Sequence, residues 1–160
     1  MLFNVILLAT TAFAAAVRPR GINDCSDSSF ENQTSGGSPK ADDCAQLAKN
    51  IQGDGTWTYD SGGTQYQLAQ YGTCAFGVQS ACLPHRCPAG GIYVYIGNQD
   101  IIDVITESIK RFKDDKGLVG SKGIMNCTEM GSGYPIGTLW GIYSTGVSMN
   151  QTFLNETHLV

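Results

Sequence analysis

The chain has 160 residues, 42% of them hydrophobic, with a formal net charge of −4. That length and apolar share suit one domain with a real buried core. An acidic balance without any basic block excludes nucleic acid and anionic membrane surfaces as natural partners.

Residues 1–16 are an apolar run that ends in small residues, and Ala12-Phe13-Ala14 and Ala14-Ala15-Ala16 both satisfy the small-x-small rule of a secretory signal. A spanning helix needs about 20 apolar residues, and Arg18 and Arg20 end this run too early. The reading is a signal peptide over 1–16 and a secreted, extracellular protein with no transmembrane segment. Residues 17–24 read as an N-terminal linker, or as a pro-segment cut after Arg20. Residues 25–145 read as a single domain and 146–160 as a flexible polar tail.

Within the domain, Ser38 is suited to cap a helix, Pro39 to enter its first turn, and Asp42 and Asp43 to complement its N-terminus. Cys44, Leu47, Ala48 and Ile51 then fall on one face, so a first helix is predicted over about 39–52. The period then changes to two. Thr56 to Tyr59 reads as a strand, and residues 65–79 as a second one with a bulge at Gly72 and with Cys74, Phe76 and Val78 on one face. Ile92 to Ile96 reads as a third strand. A second helix is predicted over about 99–113, with Asn98 as its cap and an apolar stripe of Ile101, Ile102, Ile105, Ile109 and Phe112. Two further segments, ending at Cys127 and Tyr143, read as paired antiparallel strands joined through Gly131, Gly133 and Pro135. The expected architecture is α+β: an antiparallel sheet with both helices on one face, stapled by disulfides.

Cys25, Cys44, Cys74, Cys82, Cys87 and Cys127 are the six cysteines. An even number in an exported chain implies disulfides. Cys82 and Cys87 flank a proline-containing turn and are expected to pair with each other. Such a small ring contributes about 2 kcal/mol of chain entropy, against about 4 kcal/mol for a link spanning some 50 residues. A zinc site is excluded by spacing, since there is no C-x-x-C and neither His85 nor His158 has a second histidine at ligand distance. No metal and no cofactor is expected. Among the N-x-S/T sequons, Asn32, Asn150 and Asn155 are expected glycan acceptors. Asn126 precedes a half-cystine within a strand and is expected to stay bare.

No catalytic residue is expected. His85 reads as a solvated loop residue and His158 as tail. Asp100 and Asp103 are three apart on the second helix, where helix-terminus electrostatics explains them. The aromatic residues of the strands, Trp57, Tyr59, Tyr66, Tyr71, Tyr93, Tyr95, Trp140 and Tyr143, read as core and cross-strand pairs rather than as a carbohydrate platform.

Several segments together carry a resemblance. They are Cys25-Ser-Asp-Ser-Ser-Phe30 with Asn32-Gln-Thr-Ser, Ser38-Pro39 before Asp43-Cys44, and Asn50-Ile51 with Gly55-Thr-Trp57. Tyr71-Gly-Thr-Cys74-Ala-Phe-Gly-Val78, Ile96-Gly-Asn-Gln-Asp100-Ile and Gly123-x-Met-x-Cys127 to Trp140-Gly-x-Tyr143 complete the set. Over residues 25–143 the chain resembles the fungal secreted effectors that are homologues of extracellular protein two, the necrosis-inducing factor domain. The resemblance implies an α/β sandwich like that of the smut-fungus killer toxins. It also implies a necrosis-inducing or toxin-like virulence protein acting on an extracellular target of a host or a competing microbe; together with the missing catalytic constellation it gives a non-enzymatic reading, and a monomer is expected. Cys25, Cys44, Cys74 and Cys127 match the family's common set, and Cys82 and Cys87 are an addition to it. A carbohydrate-binding module and a small extracellular hydrolase are the alternatives.

Overall fold

The computed structural model describes residues 23–62, 65–81 and 91–147. Its elements are β1 (Glu31–Asn32), α1 (Ala41–Asn50), β2 (Thr56–Asp60), β3 (Tyr66–Tyr71), β4 (Cys74–Ser80), β5 (Tyr93–Gly97), α2 (Asn98–Phe112), β6 (Ser121–Thr128) and β7 (Pro135–Ser144). The expected signal peptide, the Cys82–Cys87 clip with His85, and Asn150, Asn155 and His158 lie outside the described residues.

Both helices form where apolar spacing puts them. In α1, Cys44, Leu47 and Ala48 are buried and Ile51 packs against the same cluster. The helix starts later than predicted, at Ala41. Ser38 is drawn into the preceding turn instead, where its hydroxyl accepts from Ser35 N–H at 2.9 Å. In α2 the most deeply buried line is Ile101, Val104, Ile105 and Ser108, with Ile102, Ile109 and Phe112 at its margin. Gly97 occupies the cap position expected of Asn98, because the Asn98 side chain accepts a hydrogen bond from Trp57 Nε1 at 2.7 Å.

Five strands pair antiparallel in the order β1-β6-β7-β4-β3, and β2 and β5 form a separate antiparallel ribbon. The predicted strand over 65–79 is two strands. Gly72 sits at φ +54° as the first residue of the two-residue turn between β3 and β4, the position that a II′ hairpin reserves for glycine. The bulge lies earlier, between Gln67 and Ala69.

Strand alternation puts Cys74, Phe76 and Val78 of β4, Trp140 and Ile142 of β7, and Met125 and Cys127 of β6 on one face, all buried. Helix α1 reaches that face through the Cys44–Cys74 disulfide. Helix α2 reaches it through Ser108, whose hydroxyl accepts from Ser121 Oγ at 2.7 Å and donates to Val104 O at 2.6 Å. The ribbon covers the end of the same face, where the Tyr59 hydroxyl meets Thr138 Oγ1 at 2.8 Å in the core. The expected α+β, disulfide-stapled architecture is thus the observed one, with the β2–β5 ribbon as an addition to the helical layer.

Candidate functional site

Residues 23–34, which include β1, form a strap along the edge of β6 that faces away from β7. Ser26 N–H donates to Asn126 O at 2.8 Å, Ser29 N–H to Ile124 O at 2.9 Å and Gln33 N–H to Gly120 O at 2.9 Å. The Cys25–Cys127 disulfide anchors its start. Gly123 allows the close approach, since a Cβ there would lie 1.9 Å from Ser29 O and 2.6 Å from the Trp140 ring. Phe30 on the strap packs edge-on against Trp140 with ring centroids 5.3 Å apart, and the Arg111 guanidinium lies 4.5 Å above the Phe30 ring.

Asp100 ties this strap to α2. Its Oδ2 accepts from Asp24 N–H at 2.8 Å and from Gly97 N–H at 2.9 Å, and the residue is 8% exposed. Asp24, at the end of the expected linker, is thereby bonded into the domain, and its carbonyl also accepts from both Thr128 N–H and Thr128 Oγ1. Burial pushes the Asp100 carboxyl above its ordinary pKa, against the opposing pull of the two amides. Helix-terminus electrostatics alone therefore understates the role of this residue.

Between strap and helix runs a groove of about 400 Å³, with Asp27, Asp103 and Glu107 at its sides and Val104 and Met125 beneath. The carboxylates on its helix side are engaged. Asp103 accepts from Gln99 Nε2 at 2.7 Å, and Glu107 pairs with Arg111 at 2.7 Å and Lys110 at 3.4 Å. The Arg111 hydrogen bond leads in holding Glu107 below its usual pKa. This arrangement offers hydrogen-bond acceptors to a polar ligand rather than a free acid–base pair. Among the described residues, no group of histidine, cysteine or acidic side chains could hold a metal ion, and no helix is long and apolar enough to cross a membrane.

Of the strand aromatics, Tyr59, Trp140 and Tyr143 are buried, and Trp57, Tyr66 and Tyr95 are half-buried. Tyr71 and Tyr93 are exposed instead. Tyr93 joins a second exposed aromatic, Tyr134, through the β6–β7 loop. Met130 N–H donates to Tyr93 O at 2.8 Å and Glu129 N–H to Tyr134 O at 2.9 Å. Tyr93, Met130 and Tyr134 are all exposed on β5 and the loop that docks on it, and Tyr134 was not legible in the strand pattern because it precedes β7.

Among the cysteines, Cys25 pairs with Cys127 and Cys44 with Cys74. Asn32 lies exposed on β1, its Oδ1 accepting from Thr34 N–H at 2.8 Å.

The sequence profile of the Hce2 family, described as "Pathogen effector; putative necrosis-inducing factor", matches residues 24–127. Similar proteins include "Probable chitinase LysM18" of Penicillium expansum, 37% identical over 125 residues, which are 78% of this chain and 8% of that protein. "Secreted chitinase LysM12" of the same organism is 37% identical over 103 residues, 64% of this chain and 6% of that protein. The chain thus spans under a tenth of either relative's length. The profile match begins at Asp24, the strap residue bonded to Asp100, and ends at Cys127, so it encloses both observed disulfides. The chain belongs to the Hce2 family of pathogen effectors.

Proposed function

We propose that this protein is a secreted effector that acts outside the producing cell by binding a host or competitor target, with a toxin-like or cell-death-inducing outcome and without chemistry of its own. The observation that carries this reading is the coincidence of the family match with the disulfide-held frame, residues 24–127. A frame of that kind suits an oxidising space outside the cell. The α2 carboxylates of the groove, Asp100, Asp103 and Glu107, are engaged by amides or cations, which supports binding over catalysis. Infiltration of the purified, disulfide-intact protein into leaf tissue of several plant species tests the reading, with a reduced and alkylated sample beside it. Cell death or a defence response from the intact protein alone is expected. A response no different from buffer in every species defeats the toxin-like part.

A carbohydrate-binding role is the second reading. It is favoured by the exposed Tyr93 and Tyr134, since flat aromatic rings suit the apolar faces of sugars. That two relatives are named chitinases fits it. Retention on chitin beads that is lost in a Tyr93→Ala, Tyr134→Ala variant is its expected signature. Equal retention of both proteins excludes these two rings.

A further inference from the structure

We infer that Asn126 carries an N-linked glycan on the outer face of the five-stranded sheet; the inference rests on the export reading above. Asn126-Cys127-Thr128 has the N-x-S/T pattern, and its place beside a half-cystine in a strand gave reason to expect a bare asparagine. The structure removes that reason. Alternation along β6 sends Cys127 inward, fully buried and bonded to Cys25, and sends Asn126 outward into solvent.

The residue is held by its main chain. Its carbonyl accepts from Ser26 N–H at 2.8 Å and its N–H donates to Ser26 Oγ at 3.2 Å, while its side-chain amide makes no hydrogen bond among the described residues. Its neighbour across the strand pair is Gly137, which has no side chain to obstruct a sugar. Two residues back on the same face, about 7 Å along the strand, Ile124 is 47% exposed and presents apolar surface that the first sugar ring can cover.

The bond formed joins Asn126 Nδ2 to the anomeric carbon of an N-acetylglucosamine-ended oligosaccharide. The bond broken is the one from that carbon to the diphosphate oxygen of the lipid-linked donor. One amide proton leaves Nδ2 and the lipid diphosphate departs, with no change of oxidation state. Transfer precedes folding, because in the fold the Thr128 hydroxyl is committed to Asp24 O at 2.9 Å. With Asn32 exposed on β1, two glycans would then flank the strapped sheet edge and hinder pairing with another chain.

The test is expression of the full chain in a fungal host, with peptide mapping of medium and cells after enzymatic deglycosylation in heavy-oxygen water. The Asn126 peptide from the medium is expected to carry the heavy-aspartate mark. Asn126→Gln should remove one glycan from the intact mass, and Gln keeps the main-chain bonds to Ser26. Secreted protein with an unmarked Asn126 overturns this inference and leaves export standing. Protein retained in the cells with every sequon bare overturns both.

Discussion

Asp43, in the first turn of α1, accepts two hydrogen bonds from Thr73 in the β3–β4 turn, from the backbone amide at 2.8 Å and from the hydroxyl at 2.7 Å. Thr73 Oγ1 also accepts from Lys40 N–H at 2.9 Å. One residue further along each segment, Cys44 and Cys74 form a disulfide. Helix start and hairpin turn are therefore joined twice in adjacent positions, and the Thr73 hydroxyl, then its amide, hold the Asp43 carboxyl below its ordinary pKa.

Gly72→Ala should break that joint. Gly72 has φ +54°, and a Cβ there would lie 2.6 Å from the Asp43 carboxyl. Left-handed strain costs about 1–2 kcal/mol, and displacing Asp43 adds to it. The expected result is a fall of about 2 kcal/mol in unfolding free energy by urea titration. Unchanged stability would show that the turn relaxes freely.

Gly123→Ala should be worse, because the added carbon would meet Ser29 O and the Trp140 ring at once. Neither can yield without lifting the strap from β6. A loss of about 3 kcal/mol is expected, with a red shift of tryptophan emission as Trp140 becomes exposed. A blue shift or none would count against the strap as the cover of Trp140.

The two disulfides should differ in weight. Chain entropy assigns about 4.7 kcal/mol to Cys25–Cys127, which closes 102 residues, and about 3.6 kcal/mol to Cys44–Cys74, which closes 30. Thermal melts of the two Cys→Ser pair variants should rank in that order. Hydrogen exchange should also rise over residues 24–34 in the Cys25→Ser, Cys127→Ser variant alone.

Asp100 sets a pH dependence opposite in sign to the usual carboxylate. Its pKa is raised in the fold by burial, so the folded state binds the proton more tightly than the unfolded state. Its contribution is fully present below the unfolded value and is lost as pH rises through the folded one. Acidification from neutral should therefore raise the urea midpoint in the window just above the ordinary carboxylate range. Asp43 acts in reverse below that window, where protonation removes its stabilising bonds. Asp100→Asn keeps an acceptor for the Asp24 and Gly97 amides and should abolish the rise. An identical slope in wild type and variant would assign the effect elsewhere.

Local pattern was enough to place both helices and the last strand pair. The stripes around Cys44-Leu47-Ala48 and Ile101-Ile105 are three- and four-residue spacings with one solution, a helix face, and the β6–β7 pair is short, alternating and bounded by glycines. Family membership was legible too, because its signature is spread as short ordered pieces across the folded frame. Period alone could not separate a bulge from a turn at Gly72, since both need a residue free to take positive φ, and the turn is set by Thr73 docking on Asp43. Nor could it place the strap or give Asp100 its partners. Those contacts join Asp24 to Asp100 and Ser29 to Ile124, residues 76 and 95 apart in sequence. The same holds for the cysteine pairs and for the outward turn of Asn126. These follow from the packed fold alone, because which distant partners meet depends on how whole faces pack rather than on any one segment.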